Sequence, residues 1–190
     1  MASADVIHIT SGTVTAMKLD SADFDISSPQ HGFTLIGHGD IGRSDPFICF
    51  PCEPGSSQSL ASQWSDLDLL GTVTVDGQSY MIGFGNAGAS TSFTGSWTAP
   101  EYNGSPTASV AAPFQFTGLF WFPMGDPRPM LSLAGGGLAT VDVAWNPSFN
   151  AWETQRARFD FASDAAVPEP ATILLLGTGL LGGALRKRRR

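Results

Sequence analysis

The sequence predicts an all-β chain, arranged as a two-sheet β-sandwich of immunoglobulin-like or jelly-roll type. Three observations carry that expectation. Short β-branched and aromatic runs recur roughly every 8–15 residues between clusters of Gly, Pro, Asn and Asp. Nothing before residue 165 keeps the i, i+3, i+4, i+7 apolar spacing of an amphipathic helix, and thirteen prolines are spread where helices would have to run. The two-residue connection Asp76-Gly77 joins two alternating runs, which is the sequence signature of a tight β-hairpin.

Taken in order, VIHIT at 6–10 and TVTAM at 13–17 read as strand, turn, strand, with Ser11-Gly12 as the turn. Strand-like runs follow at 33–36 (FTLI), 71–75 (GTVTV), 80–82 (YMI), 92–94 (SFT), 114–117 (FQFT) and 139–143 (ATVDV). Asp76-Gly77 is expected to form a type I′ turn, which needs positive φ at both positions. NGSP at 103–106 and GDPRP at 125–129 read as exposed loops. Period-two Phe114 and Phe116 should face the core, whereas the consecutive Phe120-Trp121-Phe122 must point to both faces and leave an aromatic able to stack on a sugar ring. Trp64, Trp97, Trp145 and Trp152 enlarge the aromatic content, and core packing is the expected use of most of it.

A chain of 190 residues suits one domain and a tail: a β-passenger at 1–166, ending in the small-residue spacer 163–166, and a separate segment at 167–190. The formal charge of −7 hides a division. Up to residue 166 there are five basic against sixteen acidic residues, while half of all Lys and Arg stands in the last five positions. An acidic body repels phosphate backbones, which argues against nucleic acid as a partner. Few charges and abundant Gly, Ser and Thr fit an exported β-protein better than a helical cytosolic enzyme.

The tail reads VPEPATILLLGTGLLGGALRKRRR. Fifteen uncharged residues at 171–185 would extend about 22 Å as a helix, short of a full hydrocarbon core. A core helix would show an amphipathic stripe, and here every face is apolar or glycine, so a short transmembrane helix is expected. Arg186, Lys187, Arg188, Arg189 and Arg190 form a membrane-stop cluster that the positive-inside rule holds in the cytoplasm, placing the body across the membrane.

This order of tripeptide, short span and basic cluster resembles the PEP-CTERM protein-sorting signal of Gram-negative, exopolysaccharide-producing bacteria. The resemblance covers the motif at 167–171, the span at 171–185 and the basic tail at 186–190. It implies that Pro168, Glu169 and Pro170 are read by exosortase, a membrane transpeptidase, after transient anchoring by the C-terminal helix. Two prolines keep the approach extended and present Glu169 at the outer surface. The expected localisation is therefore a membrane-anchored precursor, then the cell surface or the extracellular matrix, with exopolysaccharide a further partner. Export needs an entry signal, and Ala2-Ser3-Ala4 has the form of a cleavage site, so a signal peptide is expected upstream of Met1.

Other constellations are weaker. Cys49-Phe50-Pro51-Cys52 is a C-x-x-C without the strand-helix setting of a redox motif, since Glu53-Pro54-Gly55 follows; a loop-closing disulfide between Cys49 and Cys52 is expected. Zinc held by Cys49, Cys52, His31 and His38 is a lesser alternative. His8, flanked by Ile7 and Ile9, should face solvent. Gly37 to Gly42, Gly83 to Gly88 and Gly177 to Gly182 each satisfy G-x-G-x-x-G, but neither of the first two opens a helix, so turns explain them better than a nucleotide. Asp20, Asp23 and Asp25 read as a solvated turn sooner than a calcium loop, for want of the loop glycine and distal Glu. No G-x-S-x-G or recognisable Ser/His/Asp setting is present. The expectation is a non-enzymatic exported passenger with no cofactor. The alternatives are a carbohydrate-binding or hydrolytic matrix enzyme and a calcium-dependent adhesin.

Overall fold

Alternation of apolar and polar residues runs through nearly every segment of the computed structural model, which describes residues 6–17, 21–40, 51–60, 62–82, 88–121 and 130–162. Eleven strands result: β1 (Val6–Ile9), β2 (Ser11–Met17), β3 (Ser21–Ser28), β4 (Phe33–Asp40), β5 (Ser57–Ser59), β6 (Ser62–Val75), β7 (Gln78–Ile82), β8 (Gly88–Thr98), β9 (Thr107–Trp121), β10 (Leu131–Asn146) and β11 (Ala151–Ala162). A 3-10 turn, Pro29–His31, joins β3 to β4. The all-β expectation holds.

The two separate sheets do not form. The strands make a single sheet in which β2, β3, β4, β6, β8, β9, β10 and β11 are antiparallel neighbours in chain order. The ring closes because β11 pairs with β2 and the N-terminal half of β6 pairs with β8. β7 and β8 together form the return arm of the hairpin that β6 begins. The architecture is thus a closed up-and-down meander of eight strand positions, with the short β5 hydrogen-bonded to the end of β8. A sandwich and a closed meander share the same inside–outside alternation, which is why the sequence pattern does not tell them apart. The difference lies in edge pairing: closure leaves fewer unpaired strand edges.

β1 and β2 are not a hairpin. The chain runs on through Gly12, so that β2 pairs with β11 while β1, past the end of β11, pairs in parallel with β10. Asp76 and Gly77 have φ of 52° and 79°, the type I′ turn expected between β6 and β7. Ser21–Ser28, read as part of a solvated turn, is a strand: Ala22, Phe24, Ile26 and Ser28 are buried, while Asp23 and Asp25 face out.

One transverse row explains how the interior is filled. Gly95, Phe114, Gly137, Phe161 and Gly12 are successive cross-strand partners from β8 to β2, followed by Ile26, Leu35 and Val73. Large rings alternate with glycines on the inner face, the small–large alternation that fits side chains into a narrow closed sheet. At Gly137 an added Cβ would lie 2.0 Å from the Asp160 carbonyl oxygen, so the close passage of β10 against β11 requires glycine there. Phe93 joins this layer from β8, with ring centroids 5.0 Å from Phe116 and 4.1 Å from Phe159. Phe159 belongs to β11, three strand positions away, or about 14 Å across a flat sheet at ~4.8 Å per strand. Ring contact over that interval is possible only because the sheet curls around a shared core.

The two ends of the meander differ. Ala162, the last described residue, closes β11 beside Ser11, at the end where Asp76-Gly77 turns. The opposite end is covered by residues 52–60 and 99–106, described next.

Candidate functional site

β5 and the segment before it are laced to the end of β8 by backbone bonds: Gly55 N–H to Ala99 O and Ala99 N–H to Ser56 O at 2.9 Å, and Leu60 N–H to Gly95 O at 2.9 Å. Cys52 pairs with Trp152 of β11 through two backbone bonds of 3.0 and 2.9 Å. Cys52, Leu60, Trp97, Ala99 and Trp152 are all buried, and they seal this end of the core. Trp152 Nε1–H donates to the Pro100 carbonyl at 2.7 Å, which satisfies the buried indole and ties residues 99–106 down.

On that base sits an aromatic group. Trp145 of β10 is the cross-strand partner of Trp152, and their ring planes meet at 74°. Tyr102 lies flat on Trp145, with centroids 4.0 Å apart and planes 15° from parallel. Trp152 also meets Tyr102 edge-on, with centroids 6.0 Å apart and planes at 62°, and Tyr102 is still 45% exposed. Phe149, in the β10–β11 turn, is also exposed. The sequence pattern points to residues 120–122 as the place where one aromatic could be exposed, with core packing as the first expectation. Phe120 is fully buried, Trp121 has no described side chain, and Phe122 lies outside the described residues. Tyr102 had drawn no attention; its place beside Asn103-Gly104-Ser105-Pro106, in an exposed loop, was the available signal.

Cys52 is disulfide-bonded, and Cys49 lies outside the described residues. A bonded sulfur is no thiolate, so the zinc alternative loses its ligand. The histidines are apart as well: His31 Nδ1 is 2.9 Å from Ser28 Oγ in the 3-10 turn, and His38 Nδ1 is 2.6 Å from Asp23 Oδ1, its cross-strand partner. His8 is exposed, as expected. Among the described residues no three His, Cys, Asp or Glu side chains are grouped to hold a metal. Asp23 and Asp25 stand on the outer face of β3, and Asp20 is outside the described residues. Gly37 and Gly39 belong to β4, so the first G-x-G-x-x-G begins inside a strand and not at a helix N-terminus. Residues 83–87 and 177–182 are outside the described residues.

The outer face carries a built charge row. Asp142 of β10 accepts from Ser109 Oγ at 2.6 Å and from Arg156 Nε and Nη2 at 2.9 and 2.6 Å. Burial pushes its pKa up, but the Ser109 and Arg156 hydrogen bonds and the Arg156 charge together outweigh this and hold it below the ordinary aspartate value. A lowered pKa in the folded state gives stability that is complete above the unfolded pKa and lost as pH falls through the folded one. Asp142→Asn is therefore expected to cost about 1 kcal/mol at pH 7, by analogy with partly exposed pairs. In melts of mutant and wild type, the gap should be full above the ordinary aspartate pKa and should shrink as pH falls below it, through the lowered value of the folded state.

Pro168, Glu169, Pro170 and Arg186, Lys187, Arg188, Arg189 and Arg190 lie outside the described residues, as do the span at 171–185 and the spacer at 163–166. Among the described residues no helix is long and apolar enough to cross a membrane. The chain is thus a closed β-meander followed by a short C-terminal address. Residues 166–190 match the family model for the PEP-CTERM protein-sorting motif, and the chain carries a PEP-CTERM protein-sorting signal. Such a signal implies export, transient membrane anchoring and processing by exosortase, a membrane protein. No curated protein and no solved structure matches the chain.

Proposed function

We propose that the protein is a non-enzymatic passenger, exported to the cell surface or exopolysaccharide matrix of a Gram-negative bacterium after exosortase processing at its C-terminus. The sorting-motif match at 166–190 is the observation that carries this reading. Residues 1–166 are the delivered domain and 167–190 the address. Pro168, Glu169 and Pro170 are presented for recognition at the face of the membrane away from the cytoplasm; 171–185 forms a short transmembrane helix; and the basic cluster from Arg186 to Arg190 fixes its direction. A disulfide between Cys49 and Cys52 suits the oxidising compartment that export leads to. The state of Cys52 supports that pairing. The test is mass spectrometry of the mature C-terminus from cells with and without exosortase. The expected result is a chain ending near 168–170 only when the enzyme is present; the same full-length mass in both strains would refute the reading.

A further inference from the structure

We propose that the Tyr102–Trp145 stack is a binding platform for a neutral saccharide, displayed at the end of the meander opposite the one where β11 finishes. The first support is geometric. Tyr102 stacks on Trp145 and meets Trp152 edge-on, yet remains 45% exposed, so an ordered aromatic ring offers apolar surface to solvent. A pyranose ring has an apolar C–H face of matching size, and a preordered ring loses little entropy on taking it up. A cage for an organic cation needs rings set around a point, whereas these two lie parallel.

The second support is chemical. Among the described residues, the segments that build this end, 51–56, 99–107 and 145–153, contain no Lys or Arg, and they hold Glu53, Glu101 and Glu153. Phosphate, sulfate and polyuronate ligands are therefore repelled. Asn103, Asn146 and Ser148 offer amide and hydroxyl groups to sugar hydroxyls; the side-chain oxygens of the two asparagines accept from the backbone of Ser105 and Ser148, which orders the loops and leaves the amide NH₂ groups as donors.

The third is placement. Trp152 opens β11 and Ala162 ends it, ten residues further on, a separation of roughly 33 Å along the strand at about 3.3 Å per residue. The platform and Ala162, the residue from which the tail continues, therefore lie at opposite ends of β11. The site does not depend on how the tail is processed.

Affinity electrophoresis of the full-length protein in mild detergent, through gels containing dextran, laminarin or galactomannan, with heparin as the anionic control, tests the proposal. At least one neutral polymer is expected to retard the protein, and heparin is not. Tyr102→Ala should weaken that retardation about five- to tenfold, the scale of one aromatic stacking contact, and Tyr102→Phe should keep it. Thermal melts of both variants should stay close to wild type, since the side chain is half exposed. No retardation by any of the three neutral polymers, equal retardation by heparin, or unchanged binding by Tyr102→Ala would overturn the assignment.

Discussion

Phe93→Ala is expected to cost about 3–5 kcal/mol and to lower the melting temperature by about 10 °C or more. The side chain is fully buried, and its ring approaches Phe114, Phe116, Phe159 and Phe161 with centroids between 4.1 and 6.4 Å. It sits on β8, the strand that pairs with β6 to close the ring, so the cavity left behind would open at the seam of the sheet. Neighbouring backbone is held in the ladder on both sides and cannot collapse into the void. Phe93→Leu keeps most of the volume and should cost less than half as much. Urea melts of the two variants against wild type provide the measurement. A loss under 1 kcal/mol for the alanine variant would show that the core does not have this shared layer.

Substituting Pro168 and Pro170 together by alanine should leave full-length precursor in the membrane fraction, where the wild-type chain is shortened and released. Proline fixes φ near −65° and biases the residue before it to extended backbone, so Glu169 is held between two restricted positions. With 171–185 inserted as the proposed transmembrane helix, alanine frees both positions and lets that helix propagate upstream. The span is short, and a helix extended by three or four residues would draw Glu169 toward the hydrocarbon boundary. The readout is the ratio of precursor to product by immunoblot of fractionated cells. Processing at the wild-type rate would show that the prolines are dispensable to recognition.

How much of this was legible beforehand differs from element to element. The Asp76-Gly77 turn was readable because its chemistry is local: positive φ at two adjacent positions is a demand that few residue pairs meet. Phe114 and Phe116 were placed inside by period two alone, and both are buried. Ser21–Ser28 was misread because three aspartates around it suggested a turn or ion loop, whereas alternate aspartates on a strand simply occupy its wet face. Ser11-Gly12 looked like a turn for a similar reason. Its glycine answers to the approach of β3, where a Cβ would lie 2.0 Å from the Asp25 carbonyl oxygen. The sequence pattern does not show the candidate binding end because Tyr102, Trp145 and Trp152 come from two separate stretches of chain, joined by the β9–β10 and β10–β11 registers, the Trp145 N–H bond to the Pro106 carbonyl and the indole bond to Pro100.

By itself the sequence determined the all-β class, the inside–outside pattern and the C-terminal address, since propensity, periodicity and a contiguous motif are properties of neighbouring residues. The tertiary structure alone decided that the sheet closes, that glycines and phenylalanines interleave across neighbouring strands, and that an aromatic stack stands at the end opposite the one where β11 finishes. Those facts depend on which edges pair and in what register, and backbone hydrogen bonds between distant strands leave no mark on composition or local pattern.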